Sequence, residues 1–156
     1  MDTVQRWMTS PAILAPETMT LPDARRLMQQ RHIRRLPVID ATGLLVGIVT
    51  EGDINRVSDS HITDVRDYDL YHRVADLPIQ AIMTRTVVTV VPDTPILVMA
   101  QRLLEQRIGG VPVVDEGQVV GVITESDLFR RIVALETGSR EPTAQQELGV
   151  VECAAS

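Results

Sequence analysis

The sequence predicts an α+β fold built from two β-α-β-β-α repeats that pack through their sheets about a pseudo-twofold axis. An internal repeat is the first observation behind this expectation. Val4 to Arg56 reads VQRWMTSPAILAPETMTLPDARRLMQQRHIRRLPVIDATGLLVGIVTEGDINR, and Ile79 to Arg130 reads IQAIMTRTVVTVVPDTPILVMAQRLLEQRIGGVPVVDEGQVVGVITESDLFR. Met8-Thr9 matches Met83-Thr84, Pro16 matches Pro92, Leu36-Pro37-Val38-Ile39-Asp40 matches Val111-Pro112-Val113-Val114-Asp115, and Gly47 to Asp53 matches Gly121 to Asp127. The offsets are 75, 76, 75 and 74, so the length changes fall between elements, where insertions are tolerated. The second observation is that each copy alternates short β-branched runs with helical stretches. The third is composition: 44% of residues are hydrophobic but only one Trp, two Tyr and one Phe occur, so the core is aliphatic. Two copies are too few for a solenoid.

Each element has a local reason. Ala12 to Ala15 and Val87 to Val91 are short apolar runs ending at a proline, which suits a first strand. A helix is expected from Thr20 to Arg31, with Thr20 as N-cap and Asp23 three residues on. In the second copy Thr94-Pro95 offers an N-cap and a first-turn proline. Ala24, Leu27 and Met28 mark the buried stripe of the first helix, and Met99 and Leu103 that of its counterpart. A hairpin follows in each copy, turning at Asp40-Ala41-Thr42-Gly43 and at Asp115-Glu116-Gly117-Gln118, and a second helix starts after Thr50 and after Thr124. Residues 57 to 78 read as a polar loop leading into a short helix. The expected organisation is a first repeat domain over 1–64, a linker with a short helix over 65–78, a second repeat domain over 79–136 and a flexible polar tail over 137–156.

Several function classes drop out. The net charge of −6 opposes bulk binding to nucleic acid, which needs basic residues to neutralise phosphates. All 15 basic residues are Arg, which suits bidentate contacts to phosphate but reads first as a compositional bias. The lone cysteine, Cys153, forms no internal disulfide, the N-terminus lacks a signal-peptide layout, and no apolar run approaches the ~20 residues of a membrane span. The expectation is a soluble, cytoplasmic protein. His32, His61 and His72 have no ligand-like spacing, so no metal site is expected. Neither a Gly-rich phosphate loop nor a nucleophile motif is present, and no catalytic residue is assigned.

Taken together, the Met-Thr opening, the Leu/Val-Pro-Val-Ile/Val-Asp strand and the Gly-Ile/Val-Val/Ile-Thr-x-x-Asp turn, each present twice and in order, resemble the CBS domain family, named after cystathionine β-synthase. The resemblance covers about 130 of the 156 residues. It implies a domain pair with two clefts near the pseudo-twofold axis that bind adenosine-containing ligands such as AMP, ADP, ATP, S-adenosylmethionine or NAD. It also implies homodimerisation and a regulatory role exerted on a partner protein not named by the sequence. No enzymatic activity and no required cofactor are implied.

Residue chemistry gives these clefts a content. Thr50 ends a strand where a helix begins with free N–H groups, which favours an anion. The Asp53 carboxylate can accept from a ribose diol beside the Thr50 hydroxyl, and Thr124 and Asp127 repeat the arrangement. The same Thr-x-x-Asp pattern is also the capping box of an ordinary helix. Arg34 and Arg35 directly precede Leu36-Pro37, and strand alternation lets one of them reach toward phosphate. Copy two carries Gly109 and Gly110 there, so the clefts are expected to differ. Apolar walls for adenine are expected from Ala12, Ile33, Pro37, Val87, Ile108 and Pro112, each of which serves equally as core. The alternative is an assembly module whose clefts bind no ligand.

Overall fold

The computed structural model describes residues 2–60 and 76–138, with side chains of 59 and 60 excepted. In order they form α1 (Val4–Trp7), β1 (Ala15–Pro16), α2 (Leu21–Arg31), β2 (Arg35–Ile39), β3 (Leu45–Thr50), α3 (Glu51–Ser60), a 3-10 turn (Ile79–Ala81), α4 (Ile96–Gln106), β4 (Gly110–Asp115), β5 (Gln118–Thr124) and α5 (Glu125–Thr137). Two repeats of the expected β-α-β-β-α order result, with mixed sheets. β1 runs parallel to β2, β2 antiparallel to β3, and β4 antiparallel to β5, while Val90 makes a single parallel bridge to Val113.

The first strands are shorter than the expected 12–15 and 87–91, and proline chemistry explains it. Val90 N donates to Pro112 O at 3.2 Å and Val114 N to Val90 O at 2.8 Å. The next rung back needs an N–H from Pro112, which has none, and Pro37 blocks β1 in the same way. α2 is capped as expected, Thr20 Oγ1 accepting from Asp23 N at 3.4 Å. Its counterpart differs: Thr94 Oγ1 accepts from Val91 N at 3.2 Å and closes the preceding turn, leaving Pro95 at the N-cap position. The α4 start is satisfied instead by the N-terminal segment, since Ile96 N donates to Asp2 O at 3.0 Å. The hairpins turn where expected. Asp40 Oδ1 accepts from Thr42 Oγ1 at 2.6 Å and from Leu44 N and Thr42 N, and these bonds, the Thr42 hydroxyl's first, hold its carboxyl below the usual range, while Glu116 and Gly117 both take positive φ (47° and 80°). α3 continues to Ser60, so residues 57–60, expected in a loop, are helical. The linker helix expected within 65–78 and the tail beyond Gly138 lie outside the described residues, apart from residues 76–78.

Opening segments are exchanged between the copies. Val4 and Trp7 pack with Val90, Ile96, Met99, Leu103 and Val113 in the core of copy two. Ile79 and Met83 pack with Ala24, Met28, Leu36, Val49 and Ile54 in the core of copy one. Thr9 and Val122 exchange backbone hydrogen bonds of 2.9 and 3.0 Å, and Thr84 and Ile48 exchange two of 2.9 Å. Each Met-Thr segment therefore lies along the third strand of the other copy. This explains the glycine of each Gly-x-x-Thr motif. A Cβ on Gly47 would meet Met83 Sδ at 2.5 Å and Thr84 O at 3.0 Å, and one on Gly121 would meet Met8 Sδ at 2.7 Å and Thr9 O at 2.9 Å. Two motifs far apart in sequence are thus the two sides of one contact, and reciprocity of the contacts gives the pseudo-twofold relation.

Candidate functional site

A cleft of about 460 Å³ opens where the two copies meet, within the ~300–1,000 Å³ typical of small-ligand sites. Copy one contributes Arg34 and Arg35 from the start of β2, Ile48 and Thr50 from β3, and Asp53 from α3. Copy two contributes Thr84, Thr86 and Val87 from its exchanged opening segment, with Arg107, Ile108, Gly109, Gly110 and Pro112 from the α4–β4 corner. Seven of the candidate residues (Arg34, Arg35, Thr50, Asp53, Val87, Ile108 and Pro112) are thereby brought together. Ile48, Thr84 and Thr86 were missed. Thr84 stood in a recognised motif, but only the exchange of segments carries it to this wall.

Thr50 and Asp53 form a reciprocal capping box. Thr50 N donates to Asp53 Oδ2 at 2.9 Å and Asp53 N to Thr50 Oγ1 at 3.2 Å, while Arg56 pairs with the other carboxylate oxygen. Both arginines line the cleft. β2 begins at Arg35, so Arg34 lies before the strand and is not bound by its alternation. The Arg35 guanidinium crosses to the other copy and rests on the backbone of Gly109 and Gly110, where added Cβ atoms would meet its terminal nitrogens at 2.9 and 2.8 Å. The two glycines thus make room for this cation. Burial lowers the Arg35 pKa below its usual value and Arg34 adds to this, while the Glu125 charge opposes it. Among the described residues the Arg35 guanidinium has no hydrogen-bond or ion-pair partner. A half-buried guanidinium with open donors beside a helix start is a place for an anion.

The remaining five candidates stand elsewhere. Thr124 and Asp127 begin α5, with Thr124 N and Oγ1 both donating to Asp127 Oδ2 at 2.7 and 3.0 Å and Arg130 on the second oxygen. The Asp127 side chain is 1% exposed against 14% for Asp53. Burial pushes its carboxyl up, against the bonds from Thr124 and the charge of Arg130. Pro37 is buried in β2 and Ala12 is half-buried ahead of β1. Ile33 lines a separate hollow of about 360 Å³ with Arg25, His32 and Glu51. Among the described residues no cluster of three or more His, Cys, Asp or Glu could hold a metal ion.

Comparison with known proteins decides the family. The CBS domain family matches residues 4–60 and 74–134. This chain belongs to the CBS domain family. A CBS pair of this kind is a regulatory rather than a catalytic unit. The chain is 30% identical over 115 residues to a CBS domain-containing protein of Dictyostelium discoideum, covering 73% of this chain and 79% of that one. It is 32% identical over 124 residues to an L-aspartate semialdehyde sulfurtransferase of Methanocaldococcus jannaschii, covering 79% of this chain but only 22% of the larger protein. Among solved structures it resembles a CBS domain pair in complex with 5′-methylthioadenosine and S-adenosyl-L-methionine. That likeness has a TM-score of 0.72 and 30% identity, and covers 86% of this chain and 98% of that one. No helix among the described residues is long and apolar enough to cross a membrane.

Proposed function

We propose that this CBS pair is a sensor that binds AMP, ADP, ATP or S-adenosylmethionine and passes the signal to a partner protein. The observation that carries the reading is the cleft shared by both copies, where ribose- and phosphate-binding chemistry faces an apolar wall. Asp53 and Thr50 take the ribose, Arg35 and Arg34 the anionic end, and Val87, Ile108 and Pro112 the adenine. By pseudo-symmetry a second cleft would use Thr124, Asp127, Ala12, Ile33 and Pro37. The adenosine compounds bound by the related domain pair support the ligand class. Because each cleft draws on both copies, occupancy changes their relative angle, which is how a ligand would alter affinity for a partner. The proposal places repeat domains at 1–64 and 79–136 and the protein, as a homodimer, in the cytoplasm.

A second reading, a ligand-free assembly module, is favoured by one observation: both Asp carboxylates are already engaged as helix caps. Thermal melting with millimolar AMP, ADP, ATP and S-adenosylmethionine separates the two. A ligand at 100 times its Kd adds about 2.7 kcal/mol, a shift of several degrees. The sensor reading expects such a shift with at least one compound and its loss in Asp53→Ala. No shift with any of them favours assembly.

A further inference from the structure

The repeat offset of 75 pairs Arg35 with Gly110 and Arg34 with Gly109. Arg35 and Gly110 also hold the same place in their hairpins, since Arg35 stands opposite Thr50 across β2 and β3 and Gly110 opposite Thr124 across β4 and β5. These two related positions meet at one spot. A Cβ on Gly110 would meet an Arg35 guanidinium nitrogen at 2.8 Å, and Ile123 O and the Thr124 methyl carbon at 2.9 Å. Ile123 O is main chain and cannot step aside, so the spot has room for one side chain, and Arg35 fills it. Its backbone faces Thr50 while its guanidinium lies beside Thr124, which places one cation between the two Thr-x-x-Asp turns. Arg35 and Gly110 both line the cleft of Thr50 and Asp53, and the pseudo-twofold relation puts the same two positions on the wall of the second cleft. Other charges do not replace it. Arg34 and Arg107 line the first cleft but are exposed, where water and salt screen them.

We propose that Arg35 is a cation shared by the two clefts, so that the pair holds one phosphorylated adenosine ligand tightly and resists a second. It rests on the two-cleft sensor reading above and adds how the clefts act on each other. Two phosphates drawn to one guanidinium face each other across a single positive charge, and in a half-buried site their repulsion is poorly screened. The first ligand to arrive turns Arg35 into its own cleft and leaves the other without its cation. An adenosine compound with an uncharged 5′ end makes no demand on Arg35 and fills the second cleft beside a phosphorylated one. The pair thus responds to a combination, one anionic and one uncharged ligand, and the antagonism between two anions is reciprocal.

Calorimetric titration of the full chain with AMP and with adenosine tests this in wild type, Arg35→Met, Asp53→Ala and Asp127→Ala. In wild type the second AMP is expected to bind at least about tenfold more weakly than the first, an ordinary size for coupling between sites, and by a wider margin than the second adenosine. Arg35→Met should bring the ratio of the two AMP constants to that of adenosine. Asp53→Ala and Asp127→Ala each leave one cleft and an uncommitted Arg35, so both should bind one AMP at least about tenfold more tightly than the second step of wild type. Circular dichroism melting confirms that each variant is folded, and the Arg35→Met ratio decides alone if a cap variant is not. Independent clefts predict instead that one of the two cap variants keeps the weak second constant; that result, or an Arg35→Met ratio equal to that of wild type, overturns the sharing. One AMP per wild-type chain, with none bound by one of the cap variants, also overturns it while the sensor reading stands. No binding of either compound to wild type removes the cleft reading for these ligands and the sharing with it.

Discussion

Gly47→Ala is the most telling single change, because it tests the exchange of opening segments on which the shared cleft depends. The added methyl would stand 2.5 Å from Met83 Sδ, 2.8 Å from Met83 Cγ and 3.0 Å from Thr84 O. Met83 is buried in the copy-one core, so its side chain cannot swing into solvent without leaving a void. Overpacking of this sort costs about 1–3 kcal/mol. Met83→Ala alone leaves a cavity and costs about 2–5 kcal/mol. Combining the two places the new methyl in the space the sulfur vacated, so the double variant should be less destabilised than the sum by roughly 1 kcal/mol or more. Urea denaturation of the four proteins, compared at constant m, gives the coupling directly. Additivity within about 0.3–0.5 kcal/mol would mean that residues 47 and 83 do not touch, and the exchanged architecture would be refuted.

Other consequences follow from the caps, the buried acid and the unpartnered cation. Asp127→Ala should cost about 1–2 kcal/mol, the loss of a helix cap, and the more open Asp53→Ala no more than that; chemical denaturation ranks them, and the reverse order contradicts the burial argument. Because burial raises the Asp127 pKa above its usual 3.8, the folded state holds that proton more tightly than the unfolded chain. Its contribution is complete below pH 3.8 and is lost as pH rises through the folded value, so Asp127→Asn should flatten the fall of melting temperature over that window. An unchanged slope would remove Asp127 as its source. Arg35→Met keeps a long side chain over Gly109 and Gly110, so stability should change by less than about 1 kcal/mol. Calorimetric titration should show weaker binding of AMP and little change for adenosine; equal losses for both would assign Arg35 a packing role only.

Much of this architecture was legible because its signals are local. Turn residues at Asp40–Gly43 and Glu116–Gly117, the Thr20 cap and the buried periodicity of Ala24 and Met28 are set by neighbours in the chain. The short first strands were also readable in principle, since Pro37 and Pro112 remove the N–H that a longer ladder needs. Exchange of the Met-Thr segments was not, because periodicity does not say which sheet a segment joins; the glycines at 47 and 121 were the trace it left. The cleft was legible through Thr50, Asp53 and the arginines, but its walls at Ile48, Thr84 and Thr86 depend on that exchange. Arg35 lying on Gly109 and Gly110 is likewise a contact between copies, visible in sequence only as an asymmetry.

The central claim is that one adenosine ligand touches both copies at once. Methyl-resolved NMR titration with AMP, and again with S-adenosylmethionine, tests this through Ile48 of copy one and Val87 and Ile108 of copy two. The account predicts that methyl signals from both copies shift together and fit a single Kd for at least one of the two ligands. Shifts confined to one copy, or none with either ligand, would contradict it.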